Sequence, residues 1–200
     1  MLFILTGAIQ IGKTRWLQQT LRELENRGVL PYGVIAPGTW IEHAGDQGVS
    51  YEKTGINNEL LPQHEIMPFA RRSDLVDDRS VQERCTQSQR AQLMWAIDDS
   101  AIARVNAHFD AIAQADITKP GLLVIDEFGR LELLAGEGLT SALQLIDRGP
   151  TQPLPHALIV VRDQLLAQAK TRFADSGWGE IRPIAPGDEA TRELFDAFNL

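Results

Sequence analysis

Cysteine is almost absent from this chain, and long apolar runs and an excess of basic residues are missing altogether. Cys85 is the only cysteine, so no internal disulfide forms and a reducing cytoplasm is the compartment that we expect. No apolar stretch approaches membrane-spanning length, and the chain starts without the basic leader of a secretion signal. The formal net charge of −8 disfavours an extended nucleic-acid surface, which needs clustered Lys and Arg. These absences predict a soluble cytoplasmic protein that contacts no membrane and no extended nucleic acid.

The pattern of apolar residues predicts the fold class. At 200 residues the chain can bury a core without disulfide or metal staples, and we expect one domain over residues 1–200. Apolar runs predict strands at 1–6, 32–36, 121–125, 156–161 and 181–184, and helical spacing predicts helices at 13–25, 138–148, 163–175 and 188–198. This alternation favours an α/β fold with a mostly parallel sheet flanked by helices.

Residues 39–116 interrupt that alternation and are predicted as an insertion. Asp46-Gln47-Gly48 is a turn signal between two extended stretches, which indicates a β-hairpin. Residues 78–116 contain no Pro or Gly and are mostly strong helix formers, so we expect one long helix or two shorter ones. The residues predicted to supply their apolar faces are Val81, Cys85, Leu93, Trp95, Ile97, Ile102, Val105 and Phe109.

The segment Gly7–Thr14 has the form G-x-x-x-x-G-K-T and directly follows an apolar run. Gly7 and Gly12 let the backbone curl, so that successive N–H groups can point at phosphate oxygens. In such a loop Lys13 reaches the β- and γ-phosphates, and the Thr14 hydroxyl ligates Mg²⁺. The helix that starts here adds the positive end of its dipole. The predicted nucleotide-binding residues are Gly7, Ala8, Ile9, Gln10, Ile11, Gly12, Lys13, Thr14 and Arg15.

A second candidate segment, Leu122–Gly129, combines an apolar strand with two acids. Four consecutive apolar residues are typical of a buried parallel strand, and the acids follow at its carboxyl end, where open α/β sheets bind ligands. Asp126 is the predicted Mg²⁺ ligand, and Glu127 is the candidate to orient or deprotonate an attacking water. A helix cap or a solvated turn is the alternative for such a pair, but the preceding phosphate loop favours the functional interpretation.

Phosphoryl transfer needs a further cation beyond Lys13, because negative charge spreads over the equatorial oxygens. Arg162 is the first candidate, since it follows a predicted buried strand at the same edge; a pairing with Asp163 or Glu180 is the alternative for it. The other candidates are Arg71, Arg72 and Arg79 in one polar stretch, and Arg130 just after the acidic pair.

Four segments, in order along the chain, resemble the small nucleoside-triphosphatases first known from thermophiles. They are Gly7–Thr14, Gly33–Pro37, Pro68–Arg71 and Val124–Leu133, and the last is the most specific. The resemblance implies a RecA-like or kinase-like P-loop domain and slow Mg²⁺-dependent hydrolysis of ATP, GTP and related triphosphates. By matching position, the loop would bind phosphate and metal, while Asp126 and Glu127 would hold metal and direct water.

The chain departs from that family's pattern at several positions, so the resemblance is to a divergent member. Residues 9–11 are Ile-Gln-Ile where the family's loop usually holds an inner Gly, and Arg15 stands in place of a second Thr. Residues 51–56 stand where the family tends to have an Arg-x-Gly-Phe element.

Three classes of function fit these residues. The leading one is an ATP or GTP hydrolase. A nucleotide or small-molecule kinase is the second, with an acceptor pocket built from residues 39–116. The third is a nucleotide-binding regulatory protein with little turnover that acts on a protein partner. Glu127 favours hydrolysis, because a kinase must exclude water as the acceptor.

Overall fold

The computed structural model describes residues 1–45, 48–75, 86–91 and 93–200. The strands are β1 Leu2–Leu5, β2 Leu30–Ile35, β3 Gly38–Gly45, β4 Gly48–Leu61, β5 Glu65–Arg72, β6 Trp95–Ile97, β7 Gly121–Phe128, β8 His156–Val161 and β9 Ile181–Ile184. The helices are α1 Lys13–Asn26, α2 Gln87–Arg90, α3 Asp99–Gln114, α4 Thr140–Arg148, α5 Leu166–Phe173 and α6 Asp188–Ala197. Among the described residues, no helix has the length and apolar character needed to cross a membrane.

The parallel half of the sheet has the strand order β2-β7-β8-β1-β9. These strands include the five that the apolar runs predict, and β1, β7 and β8 are buried on both faces. Neighbouring residues of one strand therefore enter different cores. Ile4 and Ile125 pack with α3, α4 and α5, whereas Phe3 and Val124 pack with α1 and α6. Both faces are covered by helices, which explains the continuous apolar runs.

The sheet is mixed, so the expectation of a mostly parallel sheet is confirmed only for the five strands described above. β4 pairs antiparallel with β2, β5 pairs with β4, and β6 pairs with β5, while β3 forms a hairpin with the first half of β4. The predicted hairpin is thus present, and residues 46–47 of its turn lie outside the described residues. Residues 40–44 of β3 and 48–51 of β4 are exposed, with several apolar side chains among them, so no continuous apolar run marks these strands.

In the described part of residues 78–116, the helical prediction is confirmed for the short α2 and for α3, and it is wrong for β6. Helix α3 begins after Asp98, whose side chain accepts a hydrogen bond from Ser100 N at 2.8 Å as an N-cap. Trp95 and Ile97 lie in β6, where pairing with Arg72 and Ala70 of β5 replaces the expected helix. Leu93 lies between α2 and β6, and Val81, Cys85 and Arg79 lie outside the described residues.

Candidate functional site

The carboxyl ends of three parallel strands meet at one edge of the sheet. Strand β8 lies between β1 and β7, so the loop after β1 and the acids of β7 are separated by one strand. Arg162 follows directly after β8 and therefore stands between them along the edge. This order brings the loop, the acidic pair and Arg162, the first-choice cation, to one place, although they are far apart in sequence.

The loop Gly7–Thr14 curls through positive backbone angles. Gly7 has φ +138°, Gln10 φ +64° and Gly12 φ +92°. Glycine is favoured at position 7 by its backbone angle, and a Cβ there would also push aside the exposed side chain of Ile11. Helix α1 begins at Lys13, and Gly12 O accepts the hydrogen bond of Trp16 N at 2.9 Å. The free N–H groups of the first turn of α1 therefore lie directly after the loop.

Lys13 folds back across the loop. Its Nζ donates hydrogen bonds of 2.8 Å to the carbonyls of Gly7 and Ala8. Partial burial lowers the pKa of Lys13, while the negative charges of Glu127 and Asp163 oppose that change. The ammonium group thus lies against the carbonyls at the start of the loop, and it interacts electrostatically with Glu127 at the end of β7 and with Asp163 just after β8.

Asp126 is buried, with only 3 % of its surface exposed. Its Oδ2 accepts a hydrogen bond from Ala36 N at 3.0 Å, and its buried Oδ1 has no hydrogen-bond partner among the described residues. Burial, followed by the charge of Glu127, raises the pKa of Asp126 from 3.8 to about 6; the Ala36 bond, the nearby Thr14 hydroxyl and Lys53 oppose the rise. No hydrogen bond of standard geometry joins Thr14 to Asp126, so the Thr14 hydroxyl lies near the carboxylate without donating to it.

Glu127 sits in a β-bulge. Ile125 pairs with Ile159 and Phe128 pairs with Val161. Between these two pairs, β7 contains one residue more than β8. Glu127 adopts φ +69°, which non-glycine residues rarely do, and its side chain is half-buried in the cleft. Bulges re-aim side chains next to active sites. The bulge is the local reason that Asp126 and Glu127 can both face the ligand edge.

Glu132 supports this bulge, a role that the sequence does not reveal. The side chain is buried and accepts hydrogen bonds from Gly129 N at 2.9 Å and Leu139 N at 3.0 Å. Burial raises the pKa of Glu132, and these two bonds oppose the rise. Gly138, at φ +75°, leaves room for the carboxylate, since a Cβ there would collide with it. Glu132 belongs to the acidic segment that resembles the nucleoside-triphosphatase family, but its role depends on the backbone geometry between Gly129 and Leu139.

The candidate cations are in different environments. Arg162 is half-buried and lines the same cleft as Lys13, whose pKa its charge helps to lower. Its suggested partner Glu180 binds Arg182 instead, at 2.6 Å. Arg72 also faces the cleft, but it is bound to Asp74 and Glu52. The other two described candidates, Arg71 and Arg130, are exposed.

One cleft of about 880 Å³ joins the loop, the acids and the antiparallel strands. The residues that sequence reasoning missed come from those strands; they include Trp40, Tyr51, Lys53, Phe69 and Trp95. The four tryptophans show no stripe in the sequence, yet Trp40 and Trp95 both line the cleft. Their position depends on strand register, for which the sequence holds no local signal.

Comparison with known proteins gives a likeness of fold. No protein-family model matches the chain, and no curated protein matches it. A solved structure of a human cancer-related nucleoside triphosphatase is similar to it, with a TM-score of 0.55 over 99 % of this chain and 94 % of that chain. The sequences are 15 % identical, so the likeness shows a shared α/β fold with flanking helices.

Proposed function

We propose that the chain is a Mg²⁺-dependent nucleoside triphosphatase that hydrolyses ATP, GTP or both to the diphosphate and phosphate. The observation that carries this proposal is a glutamate, Glu127, held at φ +69° in a bulge beside the phosphate loop. Strain of this kind persists at functional sites, whereas a structural turn at the same angle favours Gly or Asn. The fold shared with a nucleoside triphosphatase supports the same conclusion.

Thr14 and Asp126 would hold the Mg²⁺ ion. The unpaired, buried Asp126 Oδ1 is a hard oxygen donor that accepts no hydrogen bond, and the Thr14 hydroxyl lies near it. Mg²⁺ prefers such oxygens and keeps several waters, so two protein ligands suffice. When bound, the ion would neutralise charge on the β- and γ-phosphates.

The remaining groups would act on the phosphates and on water. The loop N–H groups and Lys13 would bind the β- and γ-phosphates. Glu127 would orient a water and accept its proton as the water oxygen bonds to the γ-phosphorus and the bond to the β-phosphate oxygen breaks. Arg162 would stabilise charge on the transferring group from the end of β8.

Phosphate release from each of four nucleoside triphosphates tests the proposal. Turnover should need Mg²⁺ and should disappear in Lys13→Ala, which loses phosphate binding. Glu127→Gln should still bind nucleotide while turnover falls by about 10²- to 10⁴-fold, the usual contribution of a positioned base. Wild-type release that does not exceed the Lys13→Ala background would contradict the proposal.

A kinase is the second candidate, because the cleft extends beyond the loop and the acids to the antiparallel strands. That space is lined by Trp40, Phe69 and Trp95 and is large enough for an acceptor molecule in addition to phosphates. The two functions separate in one experiment with γ-labelled triphosphate and a set of small-molecule acceptors. Label found only in free phosphate supports the hydrolase, and label found on an acceptor supports the kinase.

A further inference from the structure

Lys53 is a cation of the cleft that belongs to the antiparallel half of the sheet. It lies on β4, where it pairs with Trp40 of β3, and its side chain is half-buried. It lines the same cleft as Lys13 and Glu127. Its position therefore allows it to approach a ligand from strands that contribute nothing to the phosphate loop.

The stem of Lys53 is held by backbone and aromatic groups. A Cβ on Gly38 would lie 2.7 Å from Lys53 Cε and 2.9 Å from Trp40 Nε1, so the two side chains share the space that glycine leaves open. Lys53 Nζ lies 5.3 Å from the centroid of the Trp95 ring, within the range of a cation–π contact. These contacts position the side chain, and none of the described acids pairs with its end.

Lys53 forms no ion pair with any residue that the structure describes. Arg72, which lines the same cleft, is bound on both sides by Glu52 and Asp74. A half-buried ammonium that no carboxylate neutralises is a favourable partner for an incoming anion, because its charge is less screened than at the surface.

Lys53 lies near the end of β2, close to the backbone group that binds Asp126. Gly38, which Lys53 covers, is two residues after Ala36, whose N–H binds Asp126. The charge of Lys53 is also felt at Asp126, where it opposes the rise of the pKa of that carboxyl. A γ-phosphate bound between the loop and the acids would therefore lie near this ammonium.

We propose that Lys53 supplies a second positive charge to the terminal phosphoryl group during transfer, from the antiparallel half of the sheet. The inference rests on the proposed hydrolysis. Lys53 stays protonated throughout and forms no bond; it stabilises the charge that spreads over the equatorial oxygens as the bond to the leaving diphosphate breaks. The task that the sequence assigns to an arginine is thereby shared with a lysine from the hairpin.

The test compares Lys53→Met, which keeps the stem without the charge, with Lys53→Arg, which keeps the charge. Lys119→Met is the matched control, because Lys119 is exposed and precedes β7 at the opposite edge of the sheet. We expect kcat to fall by about 10²- to 10³-fold in Lys53→Met, the usual effect of removing one such group. Lys53→Arg should retain more turnover than Lys53→Met, and Lys119→Met should match the wild type.

Two binding measurements separate catalysis from folding or simple affinity. Lys53→Met should bind nucleoside diphosphate within about 3-fold of the wild type but should lose the diphosphate–aluminium fluoride complex, which mimics the transferring group. Undiminished turnover in Lys53→Met, or a loss of diphosphate affinity as large as the loss of kcat, would overturn the role of Lys53 and leave the hydrolase proposal standing. Wild-type protein without turnover above Lys13→Ala would overturn both.

Discussion

Asp126→Asn should change the pH dependence of stability, because the ionised carboxylate is costly to bury. Burial first, and then the charge of Glu127, raises the pKa of Asp126 from 3.8 to about 6 in the folded protein. Between these two values the folded state binds more protons than the unfolded state, so stability falls as the pH rises through this window. The unfavourable contribution is complete above pH 6 and absent well below pH 3.8.

The size of this effect follows from the two pKa values. The difference between 3.8 and about 6 corresponds to about 3 kcal/mol of lost stability at pH 8, and to about half of that at pH 5. Asn removes the charge and keeps an oxygen that can accept the hydrogen bond of Ala36 N, but its amide N–H₂ would lie buried where Oδ1 now has no partner. That unpaired group costs about 1–3 kcal/mol at every pH. The pH-dependent part of the difference is therefore the quantity to measure.

Urea unfolding of wild type and Asp126→Asn with a chelator present, at about pH 5 and about pH 8, gives this quantity. The variant should gain about 1.5 kcal/mol relative to the wild type between the two conditions. Asp116→Asn is the matched control, since Asp116 is exposed and lies outside the site. Addition of Mg²⁺ should stabilise the wild type and leave Asp126→Asn unchanged. A difference between wild type and variant that is the same at both pH values would refute the reasoning.

Two further predictions concern the bulge and the loop that follows it. Glu127→Asn should raise the free energy of unfolding by about 0.5–1 kcal/mol while turnover is lost. The reasons are that Asn tolerates φ +69° better than Glu and that the change removes a charge beside Asp126. A variant that is less stable than the wild type in thermal unfolding would argue against strain at this position. Gly138→Ala should cost about 2–4 kcal/mol, since its Cβ displaces the Glu132 carboxylate from its two N–H donors. Gly136→Ala is the matched control: Gly136 has φ +66° and nothing near a Cβ, so only the backbone cost of about 1 kcal/mol applies, and equal losses in both variants would exclude the role of Glu132.

The parallel half of the fold could be predicted from the sequence because its signals are local. Strands β1, β7 and β8 are buried on both faces, and each appears in the sequence as an uninterrupted apolar run. Helices α4 and α6 have apolar residues at helical spacing and begin within a few residues of their predicted starts. In these segments, local propensity and tertiary packing favour the same structure.

The antiparallel half could not be predicted in the same way, because its stability comes from pairing between distant residues. Strand β6 is only three residues long, and its sequence suits a helix as well as a strand. The pairing of Trp95 with Arg72 of β5 decides the outcome, and a contact across so many residues leaves no periodic pattern. Trp40 and Tyr51 of the hairpin are exposed, so their strands also lack the apolar alternation of a half-buried sheet.

The candidate site also contains residues that a local sequence pattern identifies and residues that it does not. The loop Gly7–Thr14 and the pair Asp126–Glu127 are contiguous, so each could be identified from its own residues. Lys53 reaches the cleft through the register of β4 with β3, whereas Glu132 accepts hydrogen bonds from Gly129 N, just after the bulge, and from Leu139 N. Neither residue belongs to a contiguous motif, because the position of Lys53 depends on strand register and the role of Glu132 depends on how the backbone folds between residues 129 and 139.

The arrangement at the sheet edge is more costly than a structural strand end would need to be. Asp126 is buried with a raised pKa and an unpaired oxygen, and Glu127 occupies a backbone angle that disfavours it. Asn at both positions would relieve the charge and the strain. Lys13 is partly desolvated at the same edge, so two partly or fully buried charges and one strained backbone angle lie within one cleft. A cation and a phosphate chain bound there would offset all of them together, because the ion supplies a partner for Asp126 and the phosphates supply one for Lys13. We therefore expect Mg²⁺ and nucleotide together to raise the free energy of unfolding by more than the sum of the increases that each gives alone.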